Sequence, residues 1–319
     1  MPSIVTSATY SNHIPGTNTR TPADRYKEIG DKFLIMVGKT PTDSSLEQVK
    51  TKCLFWLKCD SEVSFETRCD SVNLLIDWLK EGQASEYRSA KAHRLLDWVV
   101  PDSRMKQYQE RRTYNGEYES IDNAMVKIVH SARYNELILD LSGLNLTDTP
   151  VILQDKLQKL DLSNNQLPVF DTRLCYHKRD LGNLEEPNEE EDKIQIDGQF
   201  YAVCPIKVRE LYLSGTSLSQ APLILPQGIG YLNISDIPEL EIPAISSELR
   251  VALQLQEVRL ISYYEVLKSC NPELKVVNIV ATPLEKLHDF QTIEGLCEHA
   301  SEYGIHIIAQ DPSNKWITV

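Results

Sequence analysis

Glycine is scarce in this chain, with 13 residues among 319, and its closest pair is Gly228 and Gly230. A phosphate-binding loop needs several glycines so that backbone N–H groups can approach the phosphates, and the sequence contains no such loop. The sequence also lacks a Gly-x-Ser-x-Gly elbow, a His-Glu-x-x-His pair and a Cys-x-x-Cys pair. These absences predict that the chain is not an enzyme and binds no cofactor.

Positive charge is in deficit, since 33 Lys and Arg residues stand against 46 Asp and Glu residues, a net charge of −13. Nucleic-acid binding needs a clustered Lys and Arg face, so the deficit argues against a nucleic-acid partner. Long apolar runs are missing too, because no stretch approaches the roughly 18 consecutive apolar residues of a transmembrane helix. We therefore expect no nucleic acid and no membrane insertion.

Cysteine is sparse and follows no tight pattern. Seven cysteines, an odd number, favour reduced thiols over a disulfide framework. Residues 1–10 lack the basic and apolar segments of a signal peptide, and both observations favour a cytoplasmic protein. Cys175, His177 and Cys204 bracket an acidic insertion, but three loosely spaced ligands are a weak indication, and no metal site is predicted.

Leucine spacing carries the strongest positive signal. Residues 157–168 fit the pattern Leu-x-x-Leu-x-Leu-x-x-Asn-x-Leu at every position, with Asn165 in the ninth place. This pattern is one coil of a leucine-rich repeat, in which leucines of a short strand point inward. The Asn side chain is expected to satisfy backbone groups that the turn after the strand leaves unpaired.

The pattern recurs along the second half of the chain, at spacings of 21 to 24 residues once an insertion is removed. Copies of the motif occupy residues 139–146, 157–167, 208–218, 229–237, 253–260 (a weaker copy) and 274–284. A single coil cannot bury its leucines alone, whereas stacked coils share one core. The fold class predicted is α/β, with a helical N-terminal domain followed by a solenoid whose short parallel strands line the concave face.

The segments between strands divide into two kinds. Prolines such as Pro168, Pro222 and Pro238 follow the early strands and predict extended or short 3₁₀ segments there. Residues 263–270 and 290–303 have helical patterns instead, and Gly304 is placed to end the second helix. Residues 305–308 are predicted to form the last strand, within a C-terminal α/β cap.

Three domains are predicted. Residues 1–22 are rich in Ser, Thr, Asn and Pro, which predicts a disordered N-terminus; residues 23–134 form a helical domain and residues 135–319 the solenoid. The helical patterns cover residues 22–37, 44–57, 65–80, 86–99 and 121–133. This helical domain either caps the N-terminal end of the solenoid or forms a separate binding module.

An acidic insertion interrupts the repeats at about residues 172–205. Residues 185–192 contain six carboxylates in eight positions, which indicates a solvated loop that either has no specific partner or contacts a basic one. Alternating apolar residues around Asp197-Gly198 predict a β-hairpin inside the insertion.

Strand positions between the buried leucines face outward and form the predicted protein-binding surface. These positions carry Lys159, Asp161, Glu210, Tyr212, Tyr231, Asn233, Gln254 and Asn278. Tyr212 and Tyr231 stand in adjacent coils and should lie close together, where their large rings would suit a binding hot spot. The alternative is that the two tyrosines are only tolerated on an exposed sheet, where Tyr has good strand propensity.

The Asp-Leu-Ser-x-Asn coils with a following Pro, seen at residues 161–168, resemble the short leucine-rich repeats of bacterial secreted effectors. The order of a Ser/Thr-rich start, a helical domain and a solenoid is similar to theirs. The resemblance implies binding to a host protein and secretion without a cleaved signal peptide; the ubiquitin-ligase domain of some members is not present in these 319 residues. A non-enzymatic interaction module is the leading hypothesis. The alternative is an effector enzyme or regulator whose activity lies in the helical domain.

Overall fold

A computed structural model describes most of the chain. The described residues are 21–37, 44–59, 61–81, 86–100, 113–114, 117–118, 120–170, 176–177, 193–196, 199–203, 206–223, 225–243, 263–283, 293–310 and 316–318. The predicted disordered N-terminus lies outside these ranges except for its last two residues, Thr21 and Pro22, of which Pro22 begins a helix. The acidic run 185–192 and the side chain of Gln254 also lie outside them.

Five helices form the first part of the structure. They are α1 (Pro22–Val37), α2 (Ser44–Lys58), α3 (Phe65–Glu81), α4 (Glu86–Val99) and α5 (Ile121–Tyr134). Each lies within one residue of its predicted bounds, because apolar residues at helical spacing, among them Leu75, Leu79 and Leu96, are buried between the helices. A short antiparallel pair that was not predicted, β1 (Thr113–Tyr114) and β2 (Glu117–Tyr118), precedes α5.

The rest of the described chain is mainly β-structure with two further helices. The strands are β3 (Ile138–Asp140), β4 (Lys156–Asp161), β5 (Tyr176–His177), β6 (Lys193–Ile196), β7 (Gln199–Val203), β8 (Lys207–Tyr212), β9 (Tyr231–Asn233), β10 (Val276–Asn278), β11 (His306–Gln310) and β12 (Trp316–Thr318). The helices α6 (Tyr263–Cys270) and α7 (Ile293–Glu302) confirm the predicted helical character of the late segments. The predicted first residues of the last helix, 290–292, lie outside the described ranges.

Seven strands form one sheet in the order β12-β11-β10-β9-β8-β4-β3. The six strands from β3 to β11 in this sheet are parallel, and β12 is antiparallel to β11 at the edge. Equivalent residues of successive coils pair in register, as Leu139 with Leu160, Leu160 with Leu211 and Leu211 with Leu232. The fold is therefore α/β with a largely parallel sheet, and the repeat alignment is confirmed for these coils.

The insertion leaves the stacking of the coils intact. Strands β4 and β8 are hydrogen-bonded neighbours although the insertion separates them in the sequence. Within it, β6 and β7 pair antiparallel from Lys193–Ala202 to Ile196–Gln199, which confirms the predicted pair of strands, while Asp197 and Gly198 between them lie outside the described ranges. Strand β5 adds to β7 and completes a separate three-stranded sheet.

Two predictions about the late coils are wrong. Strand β9 pairs directly with β10, Tyr231 against Val276, so the weak repeat copy at 253–260 does not place a strand between them. Residues 253–260 themselves lie outside the described ranges, and the segment from β9 to β10 is a long one that contains α6. Residues 305–308 do lie at β11, but they are not the last strand, because β12 pairs with β11.

The same turn ends each of the described coils. The residue at the equivalent position of each turn has a left-handed backbone conformation: Gly143 (φ +64°), Asn164 (+56°), Gly215 (+64°), Asp236 (+57°) and Ala281 (+55°). Gly and Asn tolerate this conformation, whereas for Ala it costs about 1–2 kcal/mol because Cβ approaches the following carbonyl oxygen. The sequence therefore places a strained residue in the last of these turns.

Replacing Ala281 by Gly is expected to raise the free energy of unfolding by about 1 kcal/mol, because the left-handed strain is removed at a modest entropic cost. Gly143→Ala is the reverse change at the equivalent position. It should lower the free energy of unfolding by about 1 kcal/mol, since a Cβ there meets nothing within 4 Å and only the backbone is strained. Urea titration of both variants measures the two effects, and shifts of the same sign would contradict this assignment.

Asn165 ties the turn of one coil to the next. Its Oδ1 accepts hydrogen bonds from the N–H groups of Leu144 (3.1 Å) and Leu146 (3.0 Å). Its Nδ2 donates to the carbonyl oxygens of Leu141 (2.9 Å) and Leu162 (2.8 Å). The prediction that this side chain satisfies the turn is confirmed.

The helices pack against the first coils of the sheet. The buried Lys91 of α4 donates to Asp155 Oδ1 (2.6 Å) and to the carbonyl oxygen of Leu153 (3.3 Å). Gln154 donates to Ser131 Oγ of α5, and the Ser120 N–H donates to the Leu144 carbonyl oxygen (2.9 Å). Buried apolar side chains of both parts belong to one continuous core. Within the described ranges, none of the helices has the length and apolar character needed to cross a membrane.

Candidate protein-binding surface

The sheet face opposite the buried leucines, called here the open face, carries two rows of side chains. The strand register defines the first row as Ile138, Lys159, Glu210, Tyr231, Val276 and His306. The second row is Asp140, Asp161, Tyr212, Asn233, Asn278 and Ile308. All predicted binding residues except Gln254, which lies outside the described residues, fall in these rows.

Tyr212 and Tyr231 meet at the centre of the open face. Their ring centroids are 5.3 Å apart at an interplanar angle of 41°, which confirms that the two rings are neighbours. Lys159 Nζ lies 4.1 Å from the centroid of the Tyr212 ring, within cation–π range. These contacts hold the aromatic pair in a defined arrangement.

Charged groups on both sides fix the Tyr212 ring. Lys159 Nζ also pairs with Asp161 Oδ2 at 3.0 Å, and the Tyr212 hydroxyl donates to Glu210 Oε2 at 3.2 Å. Partial burial, together with the neighbouring Glu210 carboxylate that accepts this hydrogen bond, raises the pKa of Tyr212 to about 12. The phenol therefore stays protonated, and the ring remains a hydrogen-bond donor, across the physiological pH range.

Second-row residues have a structural role that was not predicted. The side-chain oxygen of Asp140 accepts a hydrogen bond from the N–H two residues later, at 3.0 Å, and the same bond forms at 3.1 Å from Asp161, Asn233 and Asn278. This is the Asx-turn, in which a short Asp or Asn side chain replaces a backbone acceptor. Asp161, Asn233 and Asn278 thus stabilise the strand-end turns whether or not they also contact a partner.

Tyr212 is the exception among the five second-row residues that precede a left-handed turn; the sixth, Ile308, lies inside β11. It stands at the Asx position of β8, but its only oxygen is at the far end of the ring, where it bonds Glu210. The turn after β8 therefore lacks the local acceptor that the strand-end turns of β3, β4, β9 and β10 possess. The chain has an aromatic ring there instead of the residue that the fold favours.

The open face also has an apolar end that the sequence reasoning missed. Leu137 and Ile138 are 52% and 57% exposed, and Ile138 is the first-row neighbour of Lys159. Tyr134, 57% exposed, is the last residue of α5 and precedes Leu137 by three residues. The first-row alignment would have identified Ile138, because its position is equivalent to Lys159 and Glu210.

The described residues hold no group of three or more His, Cys, Asp and Glu side chains that could bind a metal ion. The side chains of Cys175, His177 and Cys204 lie outside the described part of the chain. Burial raises the pKa of the Cys69 thiol to about 11 and that of Cys270 to about 11, which keeps both protonated and poorly nucleophilic.

No family model matches the sequence, and no curated protein matches it. Among solved structures, the chain is similar to the leucine-rich-repeat domain of a Shigella effector, with 20% sequence identity and a TM-score of 0.30. The similarity covers 55% of this chain and 52% of that one, so the chain spans about half the length of the structure it matches.

Proposed function

We propose that residues 135–319 form a leucine-rich-repeat solenoid whose open face binds a partner protein, with Tyr212 and Tyr231 as the central contacts. The in-register leucines, the repeated left-handed turn and the Asn165 hydrogen bonds support the solenoid. In such a solenoid the strand face is concave and its outward side chains are free to select a partner. The protein is a binding module and not an enzyme in this proposal.

The observation that carries the proposal is the loss of the Asx-turn at Tyr212. Four equivalent positions keep Asp or Asn, each with a hydrogen bond of 3.0–3.1 Å to the strand-end turn. Replacing such a residue by Tyr removes that bond and costs stability on the order of 1 kcal/mol. A residue that breaks the local rule of its own fold is expected at a functional position.

Pre-organisation makes the pair suitable for binding. Tyr has two side-chain torsions, so fixing it costs little entropy, and its ring buries a large area. Lys159 and Glu210 already hold Tyr212, which lowers the ordering cost that a partner would otherwise meet. The exposed Leu137 and Ile138 extend the surface with apolar area at one end.

The double variant Tyr212→Ala/Tyr231→Ala is expected to reduce partner affinity about 100-fold or more, since each hot-spot aromatic contributes at least about 2 kcal/mol. The full chain and the variant would be compared in affinity pull-downs from eukaryotic cell lysate, followed by titration of the captured protein. Both rings point away from the core, so the variant should keep its circular dichroism spectrum.

Two control variants sharpen this experiment. Leu34→Ala/Ile35→Ala removes two exposed apolar side chains from α1, 55% and 61% exposed, and should leave capture unchanged. The variant Tyr212→Phe/Tyr231→Phe keeps the rings and loses only the hydroxyls, so it should retain most of the affinity. If the double alanine variant captures the same partner as strongly as the wild type, the open-face assignment fails.

The bacterial-effector role belongs to this proposal as well. It is supported by the Asp-Leu-Ser-x-Asn-x-x-Pro coil at residues 161–168 and by the order of helical and repeat segments. The partner would then be a host protein, which is why the pull-down uses eukaryotic lysate. Capture of a partner only from bacterial lysate would remove the host from the proposal while leaving the binding surface in place.

A further inference from the structure

We propose that the partner reaches the open face with an acidic protein segment, which binds a band of cations where the strands begin; this inference rests on the proposed function. The cation band consists of Lys156 and Lys207, at the first positions of β4 and β8, and of Arg209 and Lys275 beside them. All four side chains are exposed. The whole chain has a net charge of −13, so the positive charge of this band is opposite in sign to the overall charge.

The charged side chains of the open face differ in whether they already have an ion pair or a hydrogen bond. Asp140 and Asp161 accept hydrogen bonds from strand-end turns, Asp161 also pairs with Lys159, and Glu210 accepts one from Tyr212. Within the described ranges, the four cations of the band have no such ion pair. Neutral donors leave the negative charges of Asp140 and Glu210 in place on the open face, but the four cations lie together where the strands begin, so positive charge is left for a partner to neutralise there.

The register brings two of these cations side by side. Lys156 and Lys207 are direct partners on adjacent parallel strands, whose backbones are about 4.8 Å apart. Like charges directly opposite each other destabilise a sheet. Asp155 does not relieve this repulsion, because its carboxylate pairs with Lys91. A carboxylate from a partner would relieve it.

Gly230 leaves a gap between the other two cations. The Gly230 N–H donates to the Arg209 carbonyl oxygen, and the Lys275 N–H donates to the Gly230 carbonyl oxygen, so the three residues lie across three neighbouring chain segments. A Cβ at Gly230 would make only an ordinary contact, 3.7 Å from the Arg209 carbonyl oxygen. The local packing therefore does not require glycine, and its missing side chain opens a slot between Arg209 and Lys275.

A carboxylate is the chemistry that fits this slot and the paired lysines. Glu273 lies beside Lys207, since a Cβ at Gly228 would be 3.7 Å from Glu273 Oε2 and 3.8 Å from Lys207 Cβ, but one carboxylate balances at most one of the four positive charges. An acidic segment laid across the strand ends would pair with the cation band and continue onto Tyr212 and Tyr231. Because these ion pairs would be exposed to solvent, added salt would weaken the binding.

The test selects peptides from a phage-displayed random dodecapeptide library against the immobilised full chain. Peptides selected by the wild type are expected to contain Asp and Glu at about three times the library frequency, as complementary charges at an interface require. Selection against Arg209→Glu/Lys275→Glu should remove this enrichment. The variant Lys27→Glu/Lys80→Glu makes the same charge change on α1 and α3 and should leave the enrichment intact.

A single substitution inside the slot provides a second measurement. Gly230→Glu supplies an internal carboxylate between the two cations and should weaken binding of a selected fluorescein-labelled peptide about tenfold, the sum of two exposed ion pairs. Gly230→Gln has the same size without the charge and should stay within about twofold. Equal losses in the two variants would show a steric effect and overturn the assignment of charge.

The outcomes separate this inference from the proposed function. Peptides without acidic enrichment that still depend on Tyr212 and Tyr231 would overturn the acidic segment and leave the open face as the binding surface. Failure of the wild type to select any peptide would also overturn it, while the lysate pull-down continues to test the proposed function. Binding of a fluorescein-labelled 12-nucleotide single strand more tightly than the selected peptides, at about 0.15 M salt, would assign the band to phosphate instead.

Discussion

Replacing Asn165 by alanine is expected to lower the free energy of unfolding by about 4 kcal/mol, because four buried backbone groups would lose their partners at about 1–3 kcal/mol each before relaxation. The side chain is 1% exposed, so water cannot replace the lost bonds. The two N–H groups and two carbonyl groups belong to the coils at 139–146 and 157–167, so the loss also weakens their interface. Urea titration, monitored by far-ultraviolet circular dichroism, measures this loss in the free energy of unfolding.

Two variants act as controls for Asn165→Ala. Asn164→Gly changes the exposed neighbour of Asn165. Because glycine readily adopts the left-handed backbone conformation of this position, the free energy of unfolding should shift by less than about 0.5 kcal/mol. Asn165→Thr introduces the residue of later coils, where Thr216 Oγ1 donates to the Leu213 carbonyl oxygen at 2.7 Å. Because Asn165→Thr would recover one of the lost hydrogen bonds, it should lower the free energy of unfolding by less than Asn165→Ala does. A loss below about 1 kcal/mol for Asn165→Ala would mean that the turn is held by other contacts.

The sequence alone was sufficient for most elements of the fold. The apolar spacing of α1 to α5 placed their ends within one residue, because a buried helical face repeats every three to four residues. The Leu-x-x-Leu-x-Leu spacing placed strands β3, β4, β8, β9 and β10, and Asn165 marked the turn. In each case one local pattern determines one burial pattern, so no distant contact had to be known.

The misassigned parts depend on distant pairing. Residues 253–260 have leucines at repeat spacing, yet β9 pairs with β10. Whether a strand enters the sheet depends on its neighbours, which a single motif does not contain. The same holds for β12, whose short segment Trp316–Thr318 becomes a strand by pairing with β11. The pair β1–β2 is likewise too short to give a periodic signal.

The candidate site was predicted in outline but not in its chemistry. Alternation around the leucines placed seven of the predicted residues on the open face and brought Tyr212 next to Tyr231. It could not separate residues that bind from residues that cap a turn. An alignment of the repeats at the second-row position would have shown the Asx pattern, with Asp161, Asn233 and Asn278 as its members and Tyr212 as the exception. The contact of Lys159 with the Tyr212 ring depends on side-chain conformation and needed the structure.

Replacing Trp56 by alanine is expected to lower the free energy of unfolding of the whole chain by about 5 kcal/mol, from the cavity and from a lost buried hydrogen bond. Trp56 is fully buried in α2, and its Nε1 donates to Asp122 Oδ1 at 2.7 Å. Asp122 is 3% exposed, so its carboxylate would lose a donor away from water. Trp56→Phe keeps most of the ring volume and should cost about 2 kcal/mol, mainly through that hydrogen bond.

The informative readout of Trp56→Ala is in the sheet. Lys91 joins α4 to Asp155 and Leu153, the Ser120 N–H joins the start of α5 to Leu144, and the apolar core is continuous across both parts. If the helices cap the solenoid, the two parts unfold together, and native-state hydrogen exchange at β4 and β8 should accelerate by the full loss in stability. Unchanged protection of β4 and β8 in a destabilised variant would instead identify the helices as a separate module, the alternative in which they carry an activity of their own.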